Sequence, residues 1–215
     1  YHIPVTEKAN EYKAVTLEEV IEVVKTLPDP SPGPDNTSAA MIKIMFNLSP
    51  NNVLIFINFS IVNAWIHPDW KVAKLLPLLK KQGAGFAIDN IQPISLTSSL
   101  VKLIERLLYK HLEKWIEVNH ILSKSQIGVR PSFLIWCAHV DLESRIGLAH
   151  HKNQYAALVT LDIAKAYDSV EHTILISRLR SLKVPKYIVV WVQHFLSGRT
   201  FYCSQNDSCS QTYQQ

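Results

Sequence analysis

Cysteine is scarce in this chain. Only Cys137, Cys203 and Cys209 occur among 215 residues. No two of them stand as C-x-x-C, which removes a zinc ribbon or a dithiol redox centre. An odd and sparse set fits an intracellular setting, cytoplasmic or nuclear, where thiols stay reduced; a Cys203–Cys209 bridge is the alternative. Long apolar runs are missing too. The best one, Val53 to Ile66, is interrupted by Asn58, Ser60 and Asn63. It falls short of the ~20 residues that a membrane span needs, so a buried helix is expected there and no membrane partner. No secretory leader opens the chain, because Tyr1-His2-Ile3-Pro4 runs straight into charged residues. An initiator methionine is also missing, which suggests an internal fragment. Internal repeats and low-complexity tracts are absent.

What is present describes an ordinary globular chain, 47% hydrophobic and 19% charged. Its net charge of +4 is unevenly spread. Residues 1–70 hold four Lys/Arg against eight Asp/Glu, whereas residues 71–130 hold ten against four. A basic middle third can face a polyanion; a solvated helix face would give the same count.

Local signals give an α+β order. Thr16-Leu17-Glu18-Glu19 has capping-box spacing and starts a helix carrying Val20, Val23, Val24 and Leu27, which ends before Pro28. Four prolines and a glycine between Pro28 and Pro34 exclude helix or central strand. Two helices follow, over residues 38–47 and 53–65. Residues 72–80 read as a strand paired with a second, near Gln92 to Ile94, through a loop containing Gly83 and Gly85. Pro77 assigns the first strand to an edge or a bulge. The clearest helix spans about residues 98–118, with Leu100, Leu103, Ile104, Leu107, Leu108, Leu112, Trp115 and Ile116 at helical spacing. Another is expected over residues 132–150. Ala156 to Leu161 reads as a strand buried on both faces. Helices over residues 170–182 and from Pro185 onward follow, and residues 200–215 resemble hairpin strands separated from their partners.

The expected strand stops at Asp162. A carboxylate at a strand end is well placed to hold a divalent metal, and the Ile163 carbonyl could add a second oxygen. Tyr167 could then form the floor under a nucleotide sugar. Bland readings stand beside these. Asp162 could be a turn residue, Tyr167 a core aromatic, and Asp168 an N-cap, since Asp168-Ser169-Val170-Glu171 has capping-box spacing. A site built from His139, His150 and His151 is disfavoured, because adjacent helical histidines point in different directions.

Val159-Thr160-Leu161-Asp162-Ile163-Ala164-Lys165-Ala166-Tyr167-Asp168-Ser169-Val170 resembles the first catalytic motif of reverse transcriptases of non-LTR (LINE-like) retrotransposons. Ser31-Pro32-Gly33-Pro34-Asp35 is similar to that family's proline–glycine–proline–aspartate signature. Trp70 to Lys81 with Asn90 to Leu96 resembles its fingers motif, Leu122 to Pro131 the block after it, and Phe195 to Thr200 the segment after the first palm helix. The matches stand in family order over about residues 16–215. The resemblance implies a right-hand polymerase fold: helix-rich with a small antiparallel sheet, fingers over residues 1–155 and the start of the palm over 156–215. It implies an RNA-directed DNA polymerase that adds dNTPs to a primer 3′-hydroxyl, with RNA template and DNA primer as partners. Two Mg²⁺ (or Mn²⁺) ions are implied in the complete enzyme. Asp162 would be the catalytic carboxylate and, with the Ile163 carbonyl, a metal ligand. Tyr167 would gate the sugar. Lys80 or Lys81 would meet the triphosphate, near Gln92, and Gln126, Gly128 and Arg130 would lie near template and nucleotide.

Departures accompany the match. Gln92 stands where the family usually has an arginine, and an amide cannot reproduce a charge-assisted fork. Asn36 replaces a usual glycine and Val129 a usual aromatic. No Asp-Asp pair occurs anywhere in the sequence. As given, the fragment is expected to be inactive alone; a non-catalytic nucleic-acid-binding remnant of such an element is the alternative.

Overall fold

The computed structural model describes residues 12–28, 31–80, 87, 90–130, 134–164, 166–205 and 208–214. Its first helix, α1 (Leu17–Lys25), opens on the expected capping box. The Glu19 N–H donates to Thr16 Oγ1 at 3.3 Å, and the Thr16 N–H donates to the Glu19 carboxylate at 2.9 Å. Two of the four orphan N–H groups of the helix start are satisfied this way. α1 buries Val20, Val23 and Val24. α2 (Ala39–Leu48) is capped by Ser38, whose side chain accepts the Met41 N–H. α3 (Pro50–Val62) starts on Pro50, earlier than expected, because proline at the first helical position loses no intrahelical bond. The axes of α2 and α3 differ by 116°, and no single helix among the described residues is long and apolar enough to cross a membrane.

A 3₁₀ turn, Pro68–Lys71, leads into β1 (Val72–Leu79), which pairs antiparallel with β2 (Ile91–Leu96). Pro77 lies opposite Pro93, and because the Lys80 N–H bonds to the Asn90 carbonyl, ladder alternation makes 77/93 a non-hydrogen-bonded pair, so neither ring removes a bond between β1 and β2. Gly83 and Gly85 of the connecting loop lie outside the described residues. The sheet is mixed, not antiparallel as expected. β3 (Thr200–Gln205) runs parallel to β1 along Val72–Leu75, and β4 (Ser208–Cys209) and β5 (Tyr213–Gln214) each pair antiparallel with β3. β3 therefore has its partner within the chain. A parallel neighbour needs a long crossover, and the helices between β2 and β3 supply it, which short-range sequence patterns do not reveal. β3 covers only the first half of β1, so at Pro77 β1 is an edge strand, as its proline requires.

The chain divides into two compact units, Tyr1–Glu113 with His172–Gln215, and Lys114–Glu171. In the first, α1, α3 and the first half of α4 (Ser99–Val118) share a core with α7 (Lys186–Leu196). Val101, Leu103, Ile104, Leu107 and Leu108 of α4 are buried, as are Ile188, Val189 and Trp191 of α7. The Trp191 indole N–H reaches Ser60 Oγ at 3.4 Å, and that hydroxyl donates to the Trp65 carbonyl at 2.7 Å. α6 (His172–Ser181) packs against α7.

The second unit contains the end of α4, a loop, and α5 (Ile135–His151), followed by irregular chain to residue 171. None of its described residues is buried. Residues 156–161 form no strand, and Leu161 is 93% exposed. An extended segment is held only when its N–H and C=O groups pair with a neighbour, and no strand among the described residues runs beside this one. Asp168 is not an N-cap, because α6 starts at His172. Residues 166–170 form a turn instead, in which Ser169 Oγ donates to the Ala166 carbonyl at 3.2 Å.

Candidate active site

The sequence-predicted residues fall into both units. Lys80 and Gln92 belong to the β1–β2 hairpin of the first. Gln92 is in register with Leu78, and the Lys80 N–H donates to the Asn90 carbonyl at 2.8 Å, which extends the pairing by one residue. Strand alternation therefore puts Leu78, Lys80 and Gln92 on one face of the hairpin, Lys80 and Gln92 as diagonal neighbours about 7–8 Å apart. Both side chains are exposed. Lys81 lies outside the described residues.

Gln126, Gly128 and Arg130 share one loop of the second unit. Arg130 organises it. Its Nη2 and Nε meet the two carboxylate oxygens of Glu117 at 2.7 and 2.9 Å, and Nη1 donates to the carbonyls of Ser123 and Gln126 at 3.2 and 3.3 Å. The fork holds the Glu117 carboxyl below its usual range and the Arg130 guanidinium above its own. Val129 sits between Gly128 and Arg130 at φ 56°, a left-handed conformation that a β-branched residue rarely adopts. Glu117 gave no local signal, since it lies across the loop from Arg130.

Asp162, Ile163 and Tyr167 stand on the irregular chain of the second unit, all exposed. The Ile163 N–H donates to Asp162 Oδ1 at 3.0 Å. Tyr167 is 92% exposed, which removes the core-aromatic reading. The Asp162 carboxylate and a neighbouring carbonyl are hard oxygen donors of the type that suits Mg²⁺, but they are too few. Among the described residues no group of three His, Cys, Asp or Glu is placed to hold a metal ion, and His139, His150 and His151 form none. The donors among the described residues do not complete a metal centre.

The basic segment 71–130 is partly committed internally. Lys71 Nζ donates to the Ser197 carbonyl at 3.0 Å, Arg106 to the Thr26 carbonyl at 3.3 Å, and Lys110 pairs with Glu22 at 2.7 Å. Lys80, Lys114 and Lys124 are exposed. One polar network was not anticipated. His111 lies between the Glu19 carboxylate at 3.3 Å and the Tyr187 hydroxyl at 2.9 Å. Burial would push the Glu19 carboxyl up, but the Thr16 N–H and His111 outweigh it and hold it down. Burial, with Tyr12 and Glu19 nearby, pushes the Tyr187 hydroxyl up to about 12. The three cysteines are free and exposed, which settles against the Cys203–Cys209 bridge.

The Reverse transcriptase (RNA-dependent DNA polymerase) family model matches residues 79–215. The chain belongs to the reverse transcriptase family. Similar curated proteins are named for mobile elements. The probable RNA-directed DNA polymerase from transposon BS of Drosophila melanogaster is 30% identical over 203 residues, 92% of this chain and 22% of the relative. The RNA-directed DNA polymerase from mobile element jockey of the same fly is 30% identical over 197 residues, 89% of this chain and 21% of the relative. The retrovirus-related Pol polyprotein from type-1 retrotransposable element R2 of Popillia japonica is 24% identical over 189 residues, 88% of this chain and 25% of the relative. The chain thus spans about a fifth to a quarter of the length of these relatives. The helix-rich α+β architecture with a small sheet agrees with this membership. Reverse transcriptases generally use divalent metal ions.

Proposed function

We propose that this chain is the fingers and early palm of a retrotransposon RNA-directed DNA polymerase, with fingers up to about residue 155 and palm after it. It would act inside the cell, extending a DNA primer with dNTPs on an RNA template. The observation that carries the reading is the family match over residues 79–215, which covers β2 of the hairpin and the Asp162 segment. In this assignment Asp162 would supply one carboxylate, and the Ile163 carbonyl a further oxygen, toward a pair of Mg²⁺ or Mn²⁺ ions. Lys80 and Gln92 face the triphosphate from the hairpin. Gln126 and Gly128 border template and nucleotide, held in place by Arg130, and Tyr167 screens the 2′ position of the sugar. With one motif carboxylate and no Asp-Asp pair, the 215 residues alone do not polymerise.

The test is primer extension by the whole protein on an RNA template. Asp162→Ala should reduce kcat at least about a thousandfold, the scale on which loss of a catalytic group acts. Unchanged extension by that variant sinks the assignment of Asp162. That no three-ligand group occurs among the described residues favours a second reading, a non-catalytic RNA-binding remnant. It requires salt-dependent RNA binding by the chain that survives Asp162→Ala, without extension by the whole protein.

A further inference from the structure

We propose that the Pro32-Gly33-Pro34-Asp35 segment is a positioning clamp on the corner between β2 and α4, and so sets where β2 presents Gln92 to an incoming nucleotide. The role of Gln92 rests on the polymerase reading above; the clamp itself rests on packing. Gly33 lies against the backbone of Thr97 and Ser98. A Cβ added there would be 2.5 Å from the Thr97 carbonyl carbon, 2.6 Å from the Ser98 nitrogen and 2.7 Å from the Thr97 oxygen. These are backbone atoms, so no side-chain rotation relieves the clash, and any other residue must displace the corner.

Asp35 adds a second hold on the same corner. Its Oδ2 accepts the Ser98 hydroxyl at 2.6 Å, and its Oδ1 accepts the Thr37 N–H at 3.2 Å, which fixes the carboxylate. Ser98 Oγ in turn accepts the Leu100 N–H at 3.2 Å in the first turn of α4. The Asn36 N–H donates to the Gly33 carbonyl at 3.0 Å, and Asn36 takes the left-handed φ of 53° that this tight turn requires. Ser98 is fully buried.

The clamped corner has no slack. Thr97 and Ser98 alone separate Leu96, the last residue of β2, from Ser99, the first of α4. α4 is anchored in the core by Val101, Leu103 and Ile104. A displacement at Thr97 is therefore taken up by β2, which among the described strands pairs only with β1 and carries Gln92 four residues away from its end. A simple helix cap on Ser98 would need Asp35 but not the close approach of Gly33. Both are present, and both act on the same two residues.

Hydrogen exchange of the whole protein, with and without substitution, tests the clamp; steady-state primer extension tests its consequence. Gly33→Ala and Asp35→Ala should each speed exchange of the β2 amides about tenfold or more while leaving α3 unchanged, as local opening does. In extension, KM for dNTP should rise about tenfold with kcat within about twofold, the pattern of lost substrate binding. Asp35→Asn keeps an acceptor for Ser98 and should stay close to wild type. Unchanged β2 exchange, equal acceleration in α3 and β2, or an unchanged KM in a protein whose β2 has loosened would each overturn the proposal. A wild-type protein that extends no primer sinks the polymerase reading and, with it, the role given to Gln92; the contrast between β2 and α3 still decides the clamp.

Discussion

Helices α4 and α5 are similar in length, 20 and 17 residues, and both carry many large apolar side chains. α4 buries Val101, Leu103, Ile104, Leu107 and Leu108; α5 buries nothing. The difference follows from what lies opposite each helix. α4 alternates an apolar stripe with Lys102, Glu105, Arg106 and Lys110, and its stripe belongs to a core shared with α1, α3 and α7. On α5, Ile135, Trp136, Val140, Ile146 and Leu148 are all exposed, with Trp136 at 69%. Hydrophobic stabilisation is a property of surface removed from water, not of the residue type that carries it. The comparison also separates roles. The unit with a core holds the β1–β2 hairpin, and the unit in which no described residue is buried holds the Asp162 segment.

The strongest way to break this comparison is to truncate one tryptophan in each unit. Trp191→Ala should lower unfolding free energy by about 3–5 kcal/mol, whereas Trp136→Ala should change it by less than about 0.5 kcal/mol. Equal losses in denaturant titrations would erase the distinction. Next in size is Ser60→Ala, which deprives the Trp191 N–H and the Trp65 carbonyl of a partner; a loss of about 1–3 kcal/mol is expected by the same titration.

A smaller effect concerns pH. The Tyr187 hydroxyl is raised from 10.0 to about 12 in the folded chain, so its contribution is complete below pH 10. That contribution is lost as pH rises from 10 through about 12, because the unfolded chain releases the proton first. Thermal melts across this range should fall, and the fall should be shallower in Tyr187→Phe by roughly 2 °C. The smallest global effect belongs to the second unit. Glu117→Gln removes one charge of the Arg130 fork, which should speed tryptic cleavage after Lys124 severalfold while leaving the main unfolding transition in place. Unaltered cleavage would mean that the fork does not hold the loop.

Much of the first unit was legible because its signals are local. The capping box at Thr16, the stripe of α4 and the β1–β2 pairing each follow from a few neighbouring residues. The parallel pairing of β1 with β3 was not legible, since the strands are more than a hundred residues apart and only the intervening helices bring them together. The same holds for Asp35 with Ser98 and Arg130 with Glu117, bonds between residues whose own neighbourhoods suggest nothing of the partner. Residues 156–161 mark the opposite case. Their composition signals a buried strand, yet a strand exists only in company.

The Asp162 segment shows where each source of information stops. Sequence by itself determined the chain's family, because ordered side-chain chemistry survives without reference to packing. It also determined the local starts and stops of most helices, which depend on caps and prolines within a few residues. Tertiary structure decided which apolar residues become core, that the sheet is mixed, and that Arg130 is bound to Glu117. It decided as well that Gly33 abuts the β2–α4 corner. These depend on distances between residues far apart in the chain, and such distances are set by the collective packing of the fold.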